Sequence, residues 1–258
     1  MVPTADVDAV LVTGAAGKTA APIIEALASD GCRVIGLDLA QAPPQPGVHR
    51  WISGSILDRS LLADAVPLGG AVVHGAVALD RQDYTQVTPA VQTNVAGTYL
   101  VLDAARRRRC SRVVLLSSAP VHRPGRDDAW LSSPGEDHLY DVTKRLQEQI
   151  AGDFAETFGL PVTVLRLGHV VDAVAGRDRA GVALADVDYC RGGWVCCHDV
   201  GRAVAATLRQ REDGLSLYHV VGSPQARDRF DIAATEAALG LRLTPCTPDP
   251  GRSARPRG

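Results

Sequence analysis

Apolar residues follow two rhythms along this chain. Short continuous blocks read as strands buried on both faces: Asp8 to Val12, Arg33 to Leu37, about Val48 to Ile52, Ala71 to His74, Arg112 to Leu116, Val162 to Leu167 and Leu217 to Val221. Between them lie stretches with helical spacing. One ends near Ser29, a long one runs from Thr88 to Arg108, and one spans Leu139 to Phe158. Another is opened by Trp194 to Val200 and runs to about Gln210; a short one covers Asp231 to Leu239. In the third, Leu139, Val142, Leu146, Ile150, Phe154 and Phe158 form the apolar stripe. Asp137 is placed to cap its start, and Gly159 and Pro161 follow its end. Strands alternating with helices predict an α/β, doubly wound parallel sheet. Ala40 to Gly47 and the polar segment His122 to His138 read as loops, Gly168 to Gly193 as an irregular stretch, and Thr244 to Gly258 as a fraying tail.

Short patterns at the strand ends add chemistry. After the first strand comes Thr13-Gly14-Ala15-Ala16-Gly17-Lys18-Thr19-Ala20, then a helix, which is a dinucleotide-binding context. Gly14 allows a tight turn, and Gly17 lets backbone approach a pyrophosphate at the helix start. The second strand ends in Asp38, whose carboxylate can bind both ribose hydroxyls and would repel a 2′-phosphate, so NAD is favoured over NADP. The structural alternative is that Asp38 is a strand-end turn residue. Ser55 and Ile56 follow the third strand, where an adenine would lie. Gly75-Ala76-Val77 follow the fourth and leave room for a cofactor; His74 reads as a packed strand histidine, and no metal site is expected.

Tyr140 and Lys144 are four apart, so a helix stacks them on one face, off the apolar stripe. An ammonium beside a phenol favours phenolate and brings tyrosine into reach of acid–base work. The alternative is a solvated polar face. Ser118, at the end of the fifth strand, offers a hydroxyl where open α/β sheets bind ligands, or a turn cap.

Composition sharpens the tyrosine–lysine reading. The 258 residues include 27 Lys and Arg, yet only Lys18 and Lys144 are lysines. Arginine replaces lysine except in the glycine turn and beside Tyr140, where a compact, tunable charge has a use. Hydrophobic residues make up 46%, enough for a substantial core, and the formal net charge of −2 gives no reason to expect nucleic acid. Arg106 to Arg109 end a helix, where cations suit the dipole and face water. The six cysteines show no disulfide or metal spacing. No long apolar run or signal peptide is visible, so a soluble cytoplasmic protein without membrane contact is expected.

Taken in order, Thr13 to Gly17, Asp38, Val73 to Ala76, Asn94 to Thr98, Ser117-Ser118, Tyr140 to Lys144, Arg166 and Trp194 to Val200 resemble the extended short-chain dehydrogenase/reductase family, the NAD-dependent epimerase/dehydratases. The resemblance implies a Rossmann core over residues 1–165, final strands and a small substrate-binding portion over 166–243, and a tail beyond. It implies Tyr140 as acid/base, Ser118 on the reacting oxygen and Lys144 on the nicotinamide ribose. NAD would meet Gly14, Ala16, Gly17, Lys18, Asp38, Ser55, Ile56, Gly75, Ala76, Asn94, Ser117, Leu167, Gly168 and His169. Substrate would meet Val77, Ser118, Ala119, Tyr140 and His169. Three positions depart from the family pattern: Ala20 for the last glycine, Ser55 for an aspartate, and His169 for an asparagine.

The short run between His169 and Trp194 leaves little chain for a nucleotide pocket, so a compact sugar-like or polyol substrate is expected. The short build resembles uronate dehydrogenases, which hold a substrate carboxylate with an arginine. Arg177 and Arg179 are the candidates, against a reading as solvated loop residues. A nucleotide-sugar epimerase or dehydratase stays open, since it shares the opening oxidation. So does a non-catalytic NAD sensor, although Tyr140 and Lys144 argue against one. The resemblance further implies a homodimer through the helices bearing Asn94 and Tyr140, with Val91, Val95, Leu102, Ile150 and Phe154 supplying apolar residues; the alternative is that all five are intramolecular core.

Overall fold

A computed structural model describes residues 8–41, 46–78, 87–119, 138–187, 193–210 and 213–246. Expectations for the 42–45 and 122–137 loop segments, the Asp137 cap, Cys190 and the tail beyond 246 lie outside the described residues.

The first half contains β1 (Ala9–Thr13), α1 (Ala20–Ser29), β2 (Arg33–Asp38), β3 (Val48–Ser53), α2 (Arg59–Ala65) and β4 (Ala71–His74). Next come α3 (Val87–Ala90), a π-helical turn (Val91–Ala96), α4 (Gly97–Arg107), β5 (Arg112–Ser118) and α5 (His138–Phe158). Then follow β6 (Val162–Leu167), β7 (His169–Asp172), β8 (Arg177–Asp178), β9 (Trp194–Cys196), α6 (Cys197–Arg209), β10 (Leu215–Val220) and α7 (Ile232–Leu239).

Seven parallel strands form the main sheet in the order β10-β6-β5-β4-β1-β2-β3, and β8-β7-β9 form a smaller one. Alternation within each strand splits the core into two layers. Val10, Val12, Ala71, Val73, Val114 and Leu116 pack with α1 and α6 on one side. Leu11, Val72, Val113 and Leu115 pack with α2, α4 and α5 on the other. Ala20 is buried in the first layer, so an alanine replaces the third motif glycine without opening the helix–sheet contact. Strand order reverses between β1 and β4, which places the ligand crevice at their carboxyl ends.

Five readings of the sequence need correction. Helix α2 was not expected; Asp58 caps it, accepting from the backbone of Ser60 and Leu61 at 2.9 and 3.1 Å. The long helix before β5 is interrupted by the π turn holding Asn94. Gly168 to Gly193 is not simply irregular, because β7 and β8 lie within it, and Trp194 to Cys196 is a strand rather than the opening of α6. Thr244 and Cys246 are fixed: Asp199 accepts from Thr244 backbone and hydroxyl, and Cys246 N–H donates to Gly222 O at 3.1 Å. Finally, the apolar stripe does not mark the inner face of α5. Leu146 and Phe158 are 36% and 48% exposed, while Thr143, Lys144 and Gln147 are buried. That inner face overlies strand ends whose partners satisfy polar side chains, and only its second half, at Ala151, Phe154 and Ala155, meets apolar core.

Candidate active site

One wall of the crevice is built from backbone. Gly14 has φ +72°, and a Cβ there would stand 2.8 Å from Ala76 Cα. Gly14 N–H donates to Leu37 O at 2.9 Å and Gly17 N–H to Gly14 O at 2.9 Å, closing the turn. Helix α1 starts with no side-chain cap and no acidic residue in its first turn, so its N-terminus is free to face an anion. Lys18 beside it is exposed. Asp38 accepts from Ala16 N–H and Ala40 N–H, each at 3.0 Å, so its carboxylate ties the turn to the end of β2. The glycine turn, the open helix end and a carboxylate at the second strand fit a dinucleotide. Ser55 Oγ accepts from Leu57 N–H at 3.1 Å, and the Ile56 side chain is committed to the core against Gly97.

The other wall is built from buried side chains. Lys144 Nζ is buried, donates to Leu116 O at 2.8 Å and lies 5.9 Å from the centroid of the Tyr140 ring. Ser118 ends the same strand as Leu116 and is half-buried. Burial lowers the lysine pKa to about 8, against an opposing pull from the Glu148 carboxylate. Tyr140, Lys144 and the strand end bearing Ser118 are thus brought together.

Asn94, expected at the cofactor, is held in a clasp. Its Oδ1 accepts from Ala78 N–H at 2.8 Å, and its Nδ2 donates to Ala78 O and Thr143 Oγ1 at 3.2 and 3.1 Å. It joins the segment after β4 to α5, and the π turn turns it inward. Ser117 is also redirected: its hydroxyl donates to Glu148 Oε1 at 2.5 Å. Ala119, expected near the substrate, is fully buried in the core.

His74 is the packed histidine the sequence suggests, and its partners fix its tautomer. Thr98 Oγ1 donates to Asn94 O at 2.6 Å, so it accepts from His74 Nε2–H at 2.9 Å and from Gln147 Nε2 at 2.6 Å. Nδ1 then accepts from Thr13 Oγ1, at 2.8 Å. Burial, helped by the charge of Lys144, lowers the His74 pKa to about 3 and keeps it neutral.

At the small sheet, Leu167 is nearly buried and Gly168 packs tightly on Gly193, while His169 is exposed. Val77 is half-buried beyond Ala76. Arg177 Nη1 donates to Gly181 O at 2.8 Å, closing its own turn. Arg179 Nε is buried and finds no partner among the described residues. Sequence spacing hid one grouping: Asp172, Cys196 and Cys197 present ligand-type atoms within 4.8 Å of one another where β7, β9 and α6 meet.

A parallel α/β sheet with a glycine turn at its switch point, and Lys144 held on β5 beside the Tyr140 ring, defines a dinucleotide-binding fold. The description of the NAD dependent epimerase/dehydratase family matches residues 10–182, and the chain belongs to that family. It is 28% identical to an L-arabinose 1-dehydrogenase (NAD(P)(+)) of Haloferax volcanii, over 90% of this chain and 95% of the relative. It is 25% identical to a uronate dehydrogenase of Pseudomonas syringae pv. tomato, over 61% of this chain and 58% of that one. Among solved structures, MoeE5 in complex with UDP-glucuronic acid and NAD matches with TM-score 0.66 and 25% identity, covering 92% of this chain and 84% of MoeE5.

Proposed function

We propose that this chain is an NAD-dependent oxidoreductase acting on a hydroxyl or ketone of a small sugar-like or polyol substrate, with Ser118, Tyr140 and Lys144 as its catalytic residues. The observation that carries this is Lys144, buried and held on the Leu116 carbonyl beside the Tyr140 ring at the strand end that bears Ser118. A lysine with a merely solvated role has no reason to be there. When bound, the dinucleotide supplies the hydride acceptor. Tyr140 takes the proton of the substrate hydroxyl, the Lys144 ammonium favours the phenolate that does so, and the Ser118 hydroxyl donates to the reacting oxygen. Gly14, Gly17 and the start of α1 would cradle the pyrophosphate, and Asp38 the adenine-side ribose.

The small lobe between β6 and β9 supports a compact substrate, as do the arabinose and uronate dehydrogenases among the relatives. Of the two candidate arginines, Arg179 is the better placed to meet a substrate carboxylate, since Arg177 is occupied by Gly181 O. A nucleotide-sugar epimerase or dehydratase is the second reading, favoured by the likeness to MoeE5 bound to UDP-glucuronic acid. An NADH-linked screen of sugars and sugar acids tests the choice: a dehydrogenase accumulates NADH, and an epimerase converts substrate without it. Absence of conversion of any sugar, sugar acid or nucleotide sugar would overturn both.

The chain also acts as a homodimer in this reading, through α4, α5 and the π turn. Leu102 and Phe154 belong to the core, so the surface is Val91, Tyr99, Leu146 and Phe158, all 36 to 48% exposed. Sedimentation at micromolar concentration should give a dimer; a monomer would contradict it. A cytoplasmic setting is supported by five described cysteines that are free thiols. Among the described residues, no helix is long and apolar enough to cross a membrane.

A further inference from the structure

Arg166 carries part of the family resemblance, yet the chemistry above gives it no task. It lies in a row of neighbours across three strands: Ser117 of β5 pairs in register with Arg166 of β6, and Arg166 with His219 of β10. Over that row stands Glu148, one helical turn beyond Lys144 and two beyond Tyr140. Its carboxylate accepts from Ser117 Oγ at 2.5 Å and from Arg166 through Nε at 3.0 and 3.2 Å and Nη2 at 2.6 Å. Arg166 Nη1 is 3.5 Å from His219 Nε2, and the His219 ring stacks on Phe230 with centroids 4.5 Å apart. Only 11% of the Glu148 side chain and 14% of the Arg166 side chain reach solvent, so solvent screens this pair little.

The position of the pair gives it consequences. Ser117 adjoins Ser118, and Leu116, the residue before it, offers the carbonyl that holds Lys144 Nζ. Glu148 therefore fastens α5, which carries Tyr140 and Lys144, to the strand that carries Ser118. We propose that Glu148 is a positioning residue for the catalytic set: its carboxylate locks α5 in register with the end of β5 and supplies the negative charge that keeps Lys144 an ammonium, with Arg166 limiting that charge.

Among the described residues, the titratable groups facing Lys144 are few. Tyr140 and Glu148 lie on its own helix and His74 approaches from β4. His74 is neutral through the physiological range, so it does not titrate with the lysine. Glu148 is the group whose charge opposes the effect of burial on Lys144. Removing it should lower the lysine's midpoint. Removing the Arg166 cation, which neutralises Glu148, should raise it.

This inference rests on the catalytic reading above, but its first test needs no substrate. The chain holds only two lysines, Lys18 and Lys144. Protein labelled with 13C at lysine Cε therefore gives two side-chain signals, and Lys18→Arg assigns them. Glu148→Gln keeps hydrogen-bonding capacity toward Ser117 and Arg166 and removes the charge; the Lys144 midpoint should fall by about 1 pH unit. Arg166→Gln should move it up. Opposite shifts are not what loosened packing would give. Identical midpoints in wild type and both variants would overturn the proposal. If Glu148→Gln does not fold, the direction of the Arg166→Gln shift decides alone. With a substrate in hand, the alkaline limb of the kcat profile should move with the NMR midpoint. Shifted midpoints in a protein that converts no sugar would uphold the positioning role and sink the catalytic reading; turnover with unmoved midpoints would do the reverse.

Discussion

The two walls of the crevice are built from different materials. On the β1–β4 side the chain offers backbone: a glycine at φ +72°, an uncapped helix end and small residues at Gly75 and Ala76. On the α5 side it offers buried polar side chains: Lys144, Thr143, Gln147 and Asn94, with the Glu148–Arg166 pair beneath. The first wall is fixed largely by sterics, with His74 buried behind it. The second is held by charge and hydrogen bonds at low dielectric, where each unpaired group is costly. In the proposed reading, binding and chemistry are thereby separated, and substitutions on the two walls should fail in different ways.

The largest separation is expected at Tyr140. Tyr140→Phe keeps the ring and removes the hydroxyl, so turnover should fall about 100-fold or more while NAD affinity stays near wild type. Near-normal turnover would make Tyr140 structural. Gly14→Ala should do the opposite. A side chain at that φ costs about 1–3 kcal/mol, and the added Cβ meets Ala76. Calorimetric titration should show NAD binding about 10-fold weaker or worse, with turnover at saturating NAD largely kept. Unchanged affinity would mean that the glycine turn is not the cradle.

Asp38 should have a smaller effect. Each carboxylate oxygen already accepts one backbone N–H, from Ala16 or Ala40, and retains capacity for a ribose hydroxyl. Asp38→Ala should narrow the preference for NAD over NADP by about 10-fold, the scale of one charge-assisted hydrogen bond. Parallel titrations of both cofactors check it, and wild-type protein that binds NADP as tightly as NAD would contradict the reading. The question is open among relatives, since the arabinose dehydrogenase carries both cofactors in its name.

The backbone wall was the more legible in sequence. Gly14, Gly17 and Asp38 announce themselves because turn geometry leaves few residue types that fit. Tyr140 and Lys144 were legible through spacing and through the scarcity of lysine. What surrounds them was not. A helical stripe of leucine and phenylalanine normally marks the inner face, but on α5 it runs partly through solvent, because the inner face is satisfied by partners from β5, the π turn and α4 that only the fold assembles. The protein partners of Ser117 and Asn94 were illegible for the same reason: adjacency in sequence gave no hint that Glu148, Ala78 and Thr143 would meet their polar groups. The small sheet was missed because three strands of two to four residues have no room for periodicity.

The smallest effect concerns stability against pH, and here too the two walls differ. His74 has a folded pKa of about 3, against an ordinary value near 6.5, so between those limits the unfolded chain binds the extra proton. Stability should therefore fall as pH drops from about 6.5 toward 3. Lys144 behaves with the same sign in a higher window. Its folded pKa of about 8 lies below the ordinary value of 10.5, so stability should rise as pH climbs between them. Carboxylates complicate the acid window: Glu236, held at about 2 chiefly by Arg227, also loses stabilising interactions as it is protonated below its ordinary pKa of 4.5. The clean region is between about pH 6.5 and 4.5, above that titration. Denaturant unfolding of wild type and His74→Gln should differ by an amount that changes with pH there, because glutamine can satisfy part of the Thr13–Thr98 chain without taking up a proton. The wild-type curve should slope more steeply. Parallel curves would show that His74 does not charge on unfolding in that range, and would remove it as the acid-sensitive point of the β1–β4 wall.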